Sequence, residues 1–388
     1  MRILCASDSF KESMTATQAS EAMALGAQRA IPDVEIDLCP IADGGEGTVE
    51  TIITAAHGDI ESASVRGPLR GMTVSGVWGR LPDRRSAIVE LPAAAGLALV
   101  PRARRNPLHT TTFGVGQIVV AAIESGCTTI IIGLGGSATC DGGCGLAQAL
   151  GVRFTLDDGR VLDETSDESM TGAHLEMIRA IDRSAAEALR ARGVQLIAAN
   201  DVTNPLFGPR GSAFVFAPQK GAAPADVQRL DRGLRRLASL LPEADPQAPG
   251  MGAAGGCAFG ITAILGGTLQ RGIELVLDAV GFETRVRGAD LVLTGEGRLD
   301  EQSLGGKAVS GVAAAAARHG VPVIALVGDA SPAARTWAAP GSPMPLAAVH
   351  ALTDLSGDVD DLMRRGTQRL ADLAELAVRD WIRERARS

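Results

Sequence analysis

Three short stretches of this chain set acids beside glycine or other small residues: "SDSFKES" (7–13), "ADGGEGT" (42–48) and "TGEGRLD" (294–300). Each follows an apolar run that reads as a strand. Carboxylates hold hard cations and a lysine neutralises phosphate. Asp8, Lys11, Asp43, Glu46, Glu296 and Asp300 therefore point to a site that handles a metal-bound polyanion. Singly, the same residues have structural uses: Asp43 and Glu46 suit a helix N-terminus, Lys11 a solvated surface, and "GEG" a turn. Their combination at three strand ends favours chemistry.

A fourth loop follows the isoleucines of "TTIIIGLGGSATCDGGCG" (128–145). Glycine permits positive φ and close approach of amides to a ligand, so the loop reads as an anion cradle at a helix start. Gly135, Gly136, Ser137, Thr139 and Asp141 are its candidate binding residues. A rival reading exists, because Gly133, Gly135 and Ala138 satisfy G-x-G-x-x-A, with Asp157 or Asp158 roughly twenty residues on. That pattern imitates a dinucleotide-binding fingerprint, but Ser137, Thr139 and Asp141 stand where the motif continues into an apolar helix. A Walker A loop fails at Gly306-Lys307, which is followed by Ala308 and preceded by Glu301 at the first-glycine position. "AANDVTNP" (198–205) sets Asp201 and Asn204 at a strand end, as an Asx turn, a magnesium ligand or a base for a hydroxyl. The arginines of "VPRARRNPLHT" (100–110) suit a solvated loop or a substrate-anion site, and the histidines form no triad-like or metal-like motif.

The elements that must position these loops follow from periodicity. "RILCAS" (2–7) reads as a buried strand, 15–31 as a helix capped by Ser13 or Thr15, and the alternating "VEIDLCPI" (34–41) as an edge strand. A helix is expected over 47–57, then antiparallel or mixed strands with Gly/Pro turns from about residue 62. A helix over 113–125, strands 128–134, 151–156 and 194–205, a charged helix 224–241 and a glycine-entered buried helix within 250–267 come next. Strands within 289–300, 321–329 and 345–352, helices 304–318 and 331–339, and an amphipathic helix 357–385 complete the chain. Two strands at the start and three at the end make a five-stranded parallel sheet in flavodoxin-like 2-1-3-4-5 order. The expected division is 1–61 plus 288–388 as one α/β domain and 62–287 as an inserted second one.

With 388 residues, 46% of them hydrophobic, the chain has material for two cores. A net charge of -8 argues against nucleic acid and anionic membranes as partners. The six scattered cysteines form no CxxC pair and read as reduced core thiols. No signal-peptide pattern and no membrane-length apolar run is seen, so a soluble cytoplasmic protein is expected.

Together, "SDSFKESMTATQ", "PIADGGEGTVE", "GLGGSATCDGGCGLAQALG", "NDVTNPLFG", "PQKGA", "GAAGG" and "LTGEGRLDEQSLGGKAVSGVA" resemble the bacterial type I glycerate kinase family, in its motif order and over nearly the whole chain. The resemblance implies ATP-dependent, magnesium-dependent phosphorylation of D-glycerate, favouring 2-phosphoglycerate over 3-phosphoglycerate. It also implies a flavodoxin-like domain carrying an inserted domain of restriction-endonuclease-like fold, with the site in the cleft between them. Residue by residue, it suggests ATP phosphates against the glycine loop and Lys11 or Lys307, and magnesium on two of Asp43, Asp201 and Glu296. The glycerate carboxylate would meet Arg298 or Arg66, with Asp201 or Asp300 taking the hydroxyl proton; Asp8, Ser9 and Asn204 complete the set. Ser7, Cys140, Gly305, Val115 and Gln117 depart from the family pattern without removing an acid or lysine. Two other classes are alternatives: a nicotinamide-dependent oxidoreductase of small hydroxy acids and a non-catalytic sugar-acid-binding regulator. A homo-oligomer is left open.

Overall fold

The computed structural model describes residues 1–10, 13–41, 49, 52–53, 56–305, 308–339, 341–356 and 358–386. Lys11, Asp43, Glu46, Lys307 and most of the helix expected over 47–57 lie outside the described residues. The chain forms two compact units, one of Met1–Asp43, Thr54–Ala56 and Ile273–Ser388, the other of Gly44–Ile53 and His57–Gly272.

The first unit is built on a five-stranded parallel sheet. Its strands are Arg2–Ser7, Glu35–Leu38, Leu291–Gly295, Val323–Val327 and Ala348–Ala351. Their spatial order is the expected 2-1-3-4-5, with Arg2–Ser7 between Glu35–Leu38 and Leu291–Gly295. The central strands are continuous apolar runs because both faces are covered, while Glu35–Leu38 keeps its end residues exposed on the sheet edge. Ile3, Cys5, Leu291, Leu293, Ile324 and Leu326 cluster beneath the helices Ala16–Ala30 and Gly366–Arg385. The first of these helices starts on a capping box between Thr15 and Gln18.

The two helices approach so closely at Gly26 that an added Cβ would lie 2.2 Å from the Ala371 carbonyl oxygen. Gly26→Ala is therefore expected to destabilise the protein by about 1–3 kcal/mol through overpacking, despite the better helix propensity of alanine. A thermal melt checks this; an unchanged or raised Tm would refute the close packing.

Some local expectations change. The helix expected over 331–339 is only a 3-10 turn, Ala334–Thr336, because "SPAARTWAAPGSP" offers too little chain between proline and glycine for a stable helix. The strand expected over 194–205 ends at Ala199, where Asn200 closes an Asx turn with Val202: its side-chain oxygen accepts from Val202 N and its amide donates to Val202 O. The last helix divides into Val359–Arg364 and Gly366–Arg385.

The second unit carries a six-stranded mixed sheet. In spatial order its strands are Thr268–Gln270, Gln195–Ala199, Thr129–Gly133, Ser86–Glu90, Thr73–Arg80 and Asp59–Arg66. The first four are parallel and the last two antiparallel to their neighbours. Glu90, Gly133 and Ala199 stand in register, so the loops that follow them leave from one edge. A three-stranded antiparallel sheet, of Val161–Leu162, Arg153–Leu156 and Ile178–Asp182, completes the unit. The six cysteines are all free and buried, and among the described residues no helix is long and apolar enough to cross a membrane.

Candidate active site

In the first unit, the register pairs Ser7 with Gly295, so Asp8 and Glu296 leave neighbouring strands side by side at their carboxyl ends. The Asp8 amide donates to the Gly295 carbonyl at 2.9 Å, and the Asp8 carboxylate accepts from the Ser9 amide at 2.6 Å. Glu296 is 5% exposed and accepts from the Ser303 hydroxyl at 2.5 Å. The same Ser303 oxygen accepts from the Asp300 amide at 3.3 Å. One serine thus ties Glu296 and Asp300 to a single turn. Arg298 is largely exposed and lies 3.5 Å from the Asp300 carboxylate.

In the second unit, the chain after Gly133 stays irregular until a helix starts at Cys144. The dinucleotide pattern therefore has no helix where it would need one. The helix start is filled by the chain's own anion. Asp141 is wholly buried, and its carboxylate accepts from the amides of Thr112, Gly143 and Gly145 and from the Thr112 hydroxyl, at 2.8 to 3.3 Å. Burial drives this carboxyl above its ordinary range while the donors pull it back. Ser137 and Thr139 also turn inward, whereas Gly135 is half-buried and Gly136 exposed with φ +67°. Behind the loop, Gly255 comes so close that a Cβ there would sit 2.1 Å from the Thr139 carbonyl oxygen. Its φ of +72° also requires glycine.

The inward face of the loop meets Lys220. Its Nζ donates to Ser137 Oγ at 2.6 Å and to the Thr139 carbonyl at 2.7 Å. Burial lowers this ammonium to about 8, against the pull of Cys140, Asp141 and Cys257. Cys140 is itself pushed up to about 11 by burial, so the thiol is neutral near pH 7. Because the folded lysine binds its proton less tightly than the unfolded one, this group opposes folding below about pH 8, and the penalty fades as pH rises toward the ordinary lysine value.

At the neighbouring strand end, Asp201 is half-buried and accepts from the Gly272 amide at 3.1 Å. Asn204 donates to the Arg210 carbonyl at 2.8 Å. Arg66 ends the far edge strand, stacked over Phe113 at 4.2 Å and donating to Ser166 O and Ser169 Oγ. It lines a cavity of about 480 Å³ with Arg70, His109, Thr111 and His174. Four strand steps separate Arg66 from the Asp201 strand, roughly 19 Å at about 4.8 Å per step. The structure therefore does not bring these two residues together on one small acid.

The glycerate kinase family profile matches residues 3–382. This chain belongs to the glycerate kinase family. A glycerate kinase of Halalkalibacterium halodurans is 46% identical over 331 residues, which cover 84% of this chain and 85% of the relative. A glycerate 2-kinase of Escherichia coli is 42% identical over 333 residues, covering 85% of each chain. A crystal structure of a Salmonella typhimurium LT2 protein assigned as glycerate kinase 2 aligns with a TM-score of 0.84 at 38% identity, covering 100% of this chain and 99% of that one.

Two residues of this glycerate kinase family member escaped the reading of its sequence as site candidates. Lys220 sits in "PQKGA", a motif already visible, but nothing local distinguishes a buried lysine from a solvated one. Ser303 sits three residues past Asp300, a spacing common to many turns.

Proposed function

We propose that this protein transfers the γ-phosphate of ATP to the 2-hydroxyl of D-glycerate, giving 2-phosphoglycerate and ADP. The observation that carries this reading is the family match over residues 3–382. The E. coli relative's name, glycerate 2-kinase, supports the position. We assign the first unit to a flavodoxin-like fold, the second to a restriction-endonuclease-like fold, and the reaction to the cytoplasm.

Among the described residues, no group of three or more His, Cys, Asp or Glu side chains forms a ready-made metal cage. Asp8 and Glu296, which follow the ends of neighbouring strands, carry hard oxygen donors, which suit magnesium, an ion that keeps several waters and needs only one or two protein carboxylates beside the phosphates. In this reading Glu296 and Asp43 would hold the ion, which when bound would neutralise charge on the phosphates. The amides of Gly135 and Gly136, with Lys11 and Lys307, receive the phosphate oxygens. Arg298, oriented by Asp300, meets the glycerate carboxylate. The substrate hydroxyl oxygen bonds to the γ-phosphorus as the bond to the β–γ bridging oxygen breaks. ADP leaves with that electron pair, and Asp201 takes the hydroxyl proton. Positioning and charge neutralisation supply most of the acceleration.

Incubation with ATP, magnesium and D-glycerate is expected to yield 2-phosphoglycerate, identified by the chemical shift and coupling of its phosphorus NMR signal. A 3-phosphoglycerate signal would overturn the position, and no glycerate-dependent ATP loss by folded protein would overturn the activity.

A further inference from the structure

The glycine loop is held from inside by two buried charges of opposite sign. Asp141 fixes its far end through Thr112, Gly143 and Gly145. Lys220, only 3% exposed, fixes its middle through Ser137 Oγ and the Thr139 carbonyl. The lysine arrives on the turn Pro218–Lys220, which is itself seated tightly. Gly221 has φ +92°, and a Cβ there would lie 2.2 Å from the Arg105 carbonyl oxygen.

A buried ammonium is a costly way to hold a loop. Desolvation opposes it, and where a buried charged group is replaced together with its partners, well-packed apolar side chains commonly do as well or better for stability alone. What the ammonium adds is direction: it fixes a hydroxyl and a carbonyl oxygen of the loop in one arrangement. Gly136, the exposed turn of that loop, directly precedes the pinned Ser137.

We infer that Lys220 is a positioning residue for phosphoryl transfer: from within the unit, it holds the loop bearing Gly135 and Gly136 in the conformation that receives the phosphates of ATP. It does so without touching the nucleotide. This rests on the kinase reading above. Around the ammonium stand Cys140 and Asp141 of the loop and Cys257 of the helix Ala253–Phe259, and burial keeps both thiols neutral.

The test is steady-state kinetics of Lys220→Met and Ser137→Ala beside the wild-type protein, with thermal melts of each. Wild-type turnover of glycerate is measured first, so that failure of the kinase reading is separated from failure of this inference. For Lys220→Met, the KM for ATP is expected to rise at least tenfold. The KM for glycerate should change less than twofold, and Tm should fall modestly, because the Thr139 carbonyl and the Ser137 hydroxyl lose a donor. Ser137→Ala should shift the KM for ATP in the same direction by less, and the double variant should be no worse than Lys220→Met alone. An unchanged KM for ATP in folded Lys220→Met overturns the inference, as does an equal rise in KM for both substrates. Should Lys220→Met not fold, Ser137→Ala decides: its hydroxyl is spent on Lys220, and an unchanged KM for ATP overturns the inference.

Discussion

Glu296→Gln is expected to lower kcat by about 10²- to 10³-fold, the usual cost of removing one fixed electrostatic partner of a transferring phosphoryl group. Glutamine keeps the shape of the side chain and an oxygen that accepts from Ser303, so the turn through Asp300 should survive. What disappears is the negative charge at the end of the strand beside that of Asp8. The apparent affinity for magnesium should fall with kcat, and Tm should move little. Assays across a magnesium titration check the prediction. A kcat within about threefold of the wild type would remove Glu296 from the metal site, because even a modest electrostatic partner in phosphoryl transfer costs more than that.

The opposite pattern is expected for Asp141→Ala, a loss of stability before any loss of chemistry. The substitution leaves three amides and a hydroxyl in a sealed interior without their acceptor. An unsatisfied buried donor costs about 1–3 kcal/mol, so the total is expected to be at least about 4 kcal/mol. In a domain of this size about 1 kcal/mol moves Tm by about 2–4 °C, so a fall of roughly 10 °C or more should appear in a melt. Asp141→Asn should fall between, since one amide oxygen still accepts while its NH2 faces a donor. A Tm within about 2 °C of the wild type for the alanine variant would mean that the loop does not depend on this carboxylate.

These two acids show where reading the residues succeeds and where it stops. Both lie beside glycine in loops that follow apolar strands. Their neighbourhoods differ. The loop of Glu296 returns through Ser303 only a few residues on. The Asp141 carboxylate takes partners from a segment about thirty positions earlier as well as from its own helix start. Local sequence cannot say whether such a carboxylate faces a ligand or the chain's own amides, since both satisfy the same donors.

The sequence by itself determined the strands of the first sheet, their 2-1-3-4-5 order and the placing of "VEIDLCPI" at the edge, because burial on both faces or one leaves a readable pattern of apolar residues. It also determined the family, through motifs spread in order along the chain. Only the tertiary structure decided the register, Ser7 against Gly295, that sets Asp8 level with Glu296 288 positions on, and that Lys220 reaches back 83 positions to Ser137. The reason is physical. Periodicity reports which face of an element is buried, but the identity of the buried partner depends on how strands and loops from distant parts of the chain are stacked, and no local pattern records that choice.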